Sequence, residues 1–225
     1  MRQKIISLYF TFLIVTLSVA QNQFNDNGQR QGLWRGYHMN NTLKYEGHFY
    51  NGTELGLFNY YDLSGSLVVQ LHYLDTGTTS EAVLYYLDGS IKSKGEYLYK
   101  KKNSLWISYD TMGNKIFQEN YKNGHLHGES IYYYEDQMVS EICYYVDGLK
   151  DGFCKIFYHS GKINMQQHYL NGKMHGVVEF FYDDTKHTLE SSGYYFMGQK
   201  DSLWQFYDEK GSLLKTEEYN ERVQY

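Results

Sequence analysis

The chain repeats itself every 24 residues, and a repeat this short leaves few folds open, because no single unit can own a core. Each unit can be anchored on the small residue that opens its first apolar run: Gly32, Gly56, Ser80, Ser104, Gly128, Gly152, Gly176 and Ser202. The spacing is 24 six times and then 26, so the seventh unit carries a two-residue insertion. Five residues after the anchors stand Tyr37, Tyr61, Tyr85, Tyr109, Tyr133, Phe157, Phe181 and Tyr207. A second column, seventeen residues after the anchors (nineteen in the seventh unit), holds Phe49, Tyr73, Tyr97, Tyr121, Tyr145, Tyr169, Tyr195 and Tyr219. Aromatics make up 18% of the chain, so two unbroken aromatic columns are a pattern rather than chance.

Turn signals separate the columns. Ser64-Gly65, Asp88-Gly89, Ser160-Gly161 and Lys210-Gly211 fall between the first and the second, and Asn51-Gly52, Asn123-Gly124, Asp147-Gly148 and Asn171-Gly172 follow the second. Between turns lie short runs rich in Tyr, Phe, Ile and Val, residues that suit a pleated surface. Gly after Asn or Asp supplies the positive φ of tight hairpin turns, and the absence of Pro keeps every ladder donor. Helix loses, since neither half of a unit is long enough to stand as one. The expected fold is all-β, an elongated single-layer antiparallel sheet of about eight tandem 24-residue β-hairpin repeats over residues 27–219. In such a sheet the two aromatic columns are expected to form the core, with interaction through an exposed aromatic surface as the functional reading. Tyr134 shares its column with Asp62, Asp110 and Asp208, so it is expected to matter less than Tyr133.

Residues 1–20 read differently. A basic start (Arg2, Lys4), an apolar run from Ile5 to Val19 and the small-x-small end Ser18-Val19-Ala20 have the pattern of a secretory signal peptide cleaved near Ala20. The run is shorter than a membrane span needs, and the remaining chain offers no second one. Residues 21–26 read as a polar lead-in and 220–225 as a tail. The expected location is therefore the periplasm, the cell envelope or the outside of the cell.

The formal charge is −5, and more negative by two once Arg2 and Lys4 leave with the leader. That balance argues against nucleic acid, which calls for clustered basic residues. The one basic run, Lys100-Lys101-Lys102, is expected to be a solvated loop between units. No nucleophile elbow, zinc-protease helix motif or phosphate loop occurs, so no catalytic residue and no cofactor site is expected. His125 and His127 lie near a turn, and His175 shares the repeat column of His127. Two units apart in a stack puts those two at about 19 Å, beyond one ion, so no metal site is expected either.

Two cysteines remain, Cys143 and Cys154, on either side of the turn from Val146 to Asp151. If Tyr145 stands opposite Gly152, Cys143 faces Cys154 two rungs further in. In an oxidising compartment the pair is a candidate disulfide; otherwise Cys154 fills the column of Trp34, Phe58 and Trp106 as a small apolar side chain.

Tyr45-Glu46-Gly47-His48-Phe49-Tyr50-Asn51-Gly52 resembles the signature of MORN repeats, as do Asn123-Gly124-His125-Leu126-His127-Gly128 and Asn171-Gly172-Lys173-Met174-His175-Gly176. Gly32-Leu33-Trp34, Ser104-Leu105-Trp106 and Ser202-Leu203-Trp204 are similar to the bacterial MORN-variant group labelled YwqK-like antitoxins. The resemblance implies an elongated sheet of hairpins with a scaffolding or interaction role. Tyr85-Tyr86-Leu87-Asp88-Gly89 also resembles the choline- and glucan-binding repeats of surface proteins, which keeps a glycan open as an alternative ligand. The expected partner is another protein, or a second copy joined through the N-terminal edge strand. At the other edge, Lys215, Thr216, Glu217 and Glu218 carry charges that discourage strand addition.

Overall fold

The computed structural model describes residues 21–75 and 77–219; the leader and the tail read from the sequence lie outside them. The chain forms one antiparallel sheet of 17 strands, from β1 (Gln23–Phe24) to β17 (Leu213–Tyr219), with no helix among the described residues. Each strand pairs with its neighbours in sequence, so the sheet is an unbroken meander of hairpins. The expected all-β sheet of hairpin repeats is the fold observed.

Two kinds of turn alternate. Within a unit the chain reverses through a turn closed by paired backbone bonds, as where Asp62 N–H donates to Ser66 O and Gly65 N–H to Asp62 O. The last position of the turn needs positive φ, and Gly65, Gly89, Gly113, Gly161 and Gly211 hold it, with Asn41, Gln137 and His187 in the three units that lack glycine there. Between units a two-residue turn has positive φ at both positions, 47° and 82° at Asn51-Gly52, which matches the twist of paired strands. These second turns are also tied sideways: Gly52 N–H donates to Arg30 O, Gly124 N–H to Lys102 O and Gly172 N–H to Lys150 O. The insertion in the seventh unit is absorbed in the first kind of turn, where Asp184 accepts the backbone N–H groups of Lys186 and Thr188.

The anchor residues are bulges. Gly32, Gly56, Ser104, Gly128, Gly152, Gly176 and Ser202 all have positive φ, and register shifts lie beside the anchors. This explains why the column accepts Gly or Ser and no larger residue. Ser80 is the exception. Its φ is not positive, and β5 (Leu67–Tyr73) pairs with β6 (Thr79–Tyr85) without a shift, because the longer turn before it takes up the extra residues.

The deepest burial falls in neither aromatic column. It falls two residues after each anchor, at Trp34, Phe58, Ala82, Trp106, Ser130, Cys154, Val178 and Trp204, which are between 0% and 9% exposed. Register joins these to Gly47, Leu71, Gly95, Glu119, Cys143, Gln167, Gly193 and Glu217 in one cross-strand row along the inner face of the sheet. The large rings need small neighbours. A Cβ added at Gly47, Gly95 or Gly193 would collide with Phe58, Trp106 or Trp204. With no second layer, a ring lying over a glycine of the preceding strand is what buries apolar surface.

The two aromatic columns lie on opposite faces. The second flanks the buried row, with Phe49 edge-on to Phe58 at 5.2 Å and Tyr97 edge-on to Trp106 at 4.9 Å. The first lies on the outer face, where the Tyr61 hydroxyl donates to Glu46 at 3.0 Å and the Tyr133 hydroxyl donates to Gln118. The expectation that both columns form one core is corrected by strand parity. The first column stands three steps beyond the buried position at plus two, and an odd number of steps along a strand reverses the face.

The sheet edges also differ from expectation. The polar lead-in contains β1, which pairs with β2 (Arg30–Tyr37) and lays Phe24 against Trp34 at 5.0 Å. The Asn22 side chain then imitates a further rung, accepting from Arg35 N–H at 2.8 Å and donating to Arg35 O at 3.0 Å. Much of the N-terminal edge expected to be open is thus covered. Substituting the row should separate it from the columns: Trp106→Ala is expected to cost about 3–5 kcal/mol and Tyr133→Ala about 1–2 kcal/mol in a urea titration. Equal losses would mean the plus-two row is not the core.

Candidate functional site

Cys143 and Cys154 stand directly opposite in the buried row and are joined as a disulfide. The route to that juxtaposition differs from the spacing argument. Tyr145 opposes Lys150, not Gly152, around the two-residue turn Asp147-Gly148, and a bulge at Gly152 then restores the cysteine rung. Glu141 lies beside the sulfurs and accepts from Lys150 Nζ at 2.7 Å. Glu141, Cys143 and Cys154 place their ligand atoms within 4.8 Å of one another, a grouping the sequence spacing did not reveal. Joined sulfurs offer no thiolate, and the carboxylate is held by an ammonium, so the donors do not suit a metal ion in this state. His125, His127 and His175 lie in strands rather than turns, and His127 Nδ1 approaches Asp147 at 3.4 Å.

The centre of the row is polar. Glu119 accepts the Tyr121 hydroxyl at 2.6 Å and the Tyr132 hydroxyl at 2.9 Å. Burial, then these bonds to Glu119, push both phenols above their ordinary value. Gln167, also buried, has neither amide atom paired, so an apolar side chain of similar size should be tolerated or stabilising there.

Tyr134 is not a spare residue. Its hydroxyl donates to Phe157 O at 2.6 Å, one unit on, and its ring stacks on His159 at 3.7 Å. Tyr86, Tyr158 and Tyr182 make the same reach to Tyr109 O, Phe181 O and Tyr207 O. Where this column holds Asp instead, the carboxylate caps its own turn, as Asp62 does for Ser64 and Ser66. The bond from the Ser64 hydroxyl, the largest cause, holds the Asp62 carboxyl below its ordinary value. That contribution is present above the unfolded pKa and is lost as pH falls through the folded one.

The outer face carries an apolar residue one place after the anchor in six of the eight units, with Glu81 and Glu129 in the other two. Leu57, Leu105, Phe153, Val177 and Leu203 are 41–55% exposed, and Leu33 is half-buried. Shallow hollows flank this column, one lined by Leu57, Gln70, His72, Glu81 and Val83, another by Glu129, Ile142, Tyr144, Phe153 and Lys155. The sequence reading missed this column because its residues vary in type and only their exposure unites them.

The inner face has a cleft of about 400 Å³ where the row holds Ala82 between Phe58 and Trp106. Tyr60, Tyr73 and Tyr97 form its walls, Val69 and Leu71 line it, and Glu54 and Lys100 stand at its rim. Of the run Lys100-Lys101-Lys102, Lys100 is an exposed turn residue as expected, its Nζ donating to Glu54 Oε1 at 3.1 Å, whereas Lys102 lies in a strand with its ammonium over Trp106 at 4.5 Å.

Repeated hairpins in one open sheet, with a closed inner face and an apolar outer one, define a tandem β-hairpin repeat protein. Residues 150–171 match the family described as MORN repeat variant, which supports the MORN repeat family for this chain. No curated protein matches. Among solved structures, S. aureus TarM, crystallised as a mutant with fondaparinux, alpha-GlcNAc-glycerol and UDP, is similar over 43% of this chain and 19% of that one. The identity is 11% and the TM-score 0.33, too low to inform function.

Two outcomes follow for these side chains. Unreduced, denatured protein should show no reactive thiol, and replacing either cysteine by Ala should lower stability by about 2–3 kcal/mol; two free thiols in the thiol assay would rule the bridge out. Tyr134→Phe should cost about 1 kcal/mol through its lost bond to the next unit, against no change for a Phe substituted at exposed Tyr50.

Proposed function

We propose that this chain is an exported, non-catalytic repeat protein that acts as a protein-interaction module, with its outer face as the contact surface. The observation that carries the reading is the set of exposed apolar residues Leu57, Leu105, Phe153, Val177 and Leu203 on the outer face, which also carries the first aromatic column. Exposed apolar patches rimmed by polar residues are the usual mark of an interaction site. The repeat places these residues at a fixed pitch, which suits an extended partner surface. Export is supported by the basic start, apolar run and small-x-small end of residues 1–20, and by the disulfide, which persists in oxidising compartments. Within the MORN repeats we place the chain in the YwqK-like variant group, on Gly32-Leu33-Trp34 and its two counterparts.

The test is capture from envelope extract by the mature protein and by a variant carrying Leu57→Ser, Leu105→Ser and Leu203→Ser. Surface positions of this kind cost little stability, so the variant should melt close to the wild type and lose the captured protein. Retained capture would move the contact surface elsewhere. Saturable binding on a glycan array that survives the triple substitution would favour the carbohydrate reading instead.

A further inference from the structure

The repeat departs from its own pattern most heavily around the Ala82 cleft. Two residues before each anchor, four of the eight units place a cation on the inner face: Arg30, Lys102, Lys150 and Lys200. Each lies over the second-column ring of its own unit. Arg30 Cζ is 5.0 Å from the Phe49 centroid, Lys102 Nζ 4.6 Å from Tyr121, Lys150 Nζ 5.4 Å from Tyr169 and Lys200 Nζ 5.0 Å from Tyr219. The ring faces on this side of the sheet are thus built as cation seats. Unit two has Glu54 at that position and unit three has Thr78, so Tyr73 and Tyr97 are two adjacent rings whose own units bring no cation, as Tyr145 and Tyr195 are in units five and seven. Leu126 and Met174 take the place in units five and seven. Tyr73 and Tyr97 are also the rings that wall the cleft.

Four further departures meet there. Ala82 replaces the large residue that would fill the space, and Ser80 lacks the bulge of its column. The turn before β6 is longer than its counterparts, with Thr78 N–H and Thr79 N–H donating to the Asp75 carboxylate. The turn Tyr99-Lys100 has positive φ at both residues, 50° and 61°, with no glycine. Sites where a sequence breaks its own local rules, at a cost in strain, are where function concentrates. The acid at the rim is well covered, its side chain 20% exposed, whereas Lys100 is 70% exposed and reaches it from that strained turn. An exposed ion pair of this kind contributes little and is readily exchanged.

We propose that the cleft binds a compact organic ammonium group, seated on Tyr73 and Tyr97 and paired with Glu54, with the Lys100 ammonium as the group it displaces. The cleft supplies what such a ligand needs: tyrosine rings in its walls, an apolar lining from Val69 and Leu71 for the alkyl groups, and one carboxylate. It lies on the face opposite the apolar column, so this inference and the protein-interaction reading stand or fall separately.

Titration of the full mature chain with tetramethylammonium, followed by NMR shifts of the tyrosine rings, tests it against tert-butanol, a neutral molecule of similar size. Tetramethylammonium should bind saturably, at least about 10-fold more tightly than tert-butanol. Glu54→Gln should weaken it about 10-fold or more, and Lys100→Met should tighten it several-fold, both with unchanged melting. Ala82→Trp should abolish it by filling the cleft; should that variant misfold, Glu54→Gln carries the test alone. Absence of saturable binding, equal binding of the neutral molecule, or indifference to Glu54→Gln would each overturn the proposal. The triple outer-face variant should bind the ammonium as the wild type does, which separates failure here from failure there.

Discussion

Everything in this sheet depends on a large ring lying over a small neighbour on the preceding strand. A single layer has no partner sheet to exclude water from its faces, so the side chains themselves must cover it. Trp204 covers Gly193, Trp106 covers Gly95 and Phe58 covers Gly47, and in each case a methyl group on the glycine would collide with the ring. Where the row lacks a ring, other means hold it. Cys143 and Cys154 replace apolar contact with a covalent rung, and Glu119 gathers two tyrosine hydroxyls.

That arrangement demands accurate register, because a slip of one residue would turn the row to the other face. Two turn types and a bulge per unit set it. The bulge at the anchor keeps the plus-two residue in line with the row after each two-residue turn, and the lateral bonds from turn glycines fix neighbouring units to one another. Unit three shows that the residue count matters more than where the extra residues sit: its longer turn replaces the bulge, and Leu71 still meets Ala82. Tyr86, Tyr134, Tyr158 and Tyr182 add a third tie by reaching to backbone carbonyls one unit on.

The two faces therefore differ in what they can do. The inner face is covered by its own rings and cations, and at Ala82 the missing ring leaves a cleft. The outer face keeps an apolar column that nothing in the fold covers among the described residues. A repeat protein is stabilised by neighbour contacts, so one unit can depart from the pattern while those on either side hold the register.

The sequence by itself determined the period, the hairpins and the turn chemistry, because these follow from local spacing and from which residues accept positive φ, whereas the cysteines meet only through the bulge at Gly152. Asn51-Gly52 and Asp147-Gly148 could be read as turns before any coordinates, and so could a sheet without helices. Tertiary structure alone decided which face each column joined. Tyr133 and Tyr145 look alike along the chain, yet one bonds to Gln118 on the outer face and the other sits inside beside Lys150. Nor could spacing reveal the buried row, whose members run from Trp to Ser, since what unites them is position across strands and not residue type. The cleft was hidden for the same reason: Glu54, Tyr73, Tyr97 and Lys100 come from four different strands or turns, and only the packing of neighbouring units brings them together.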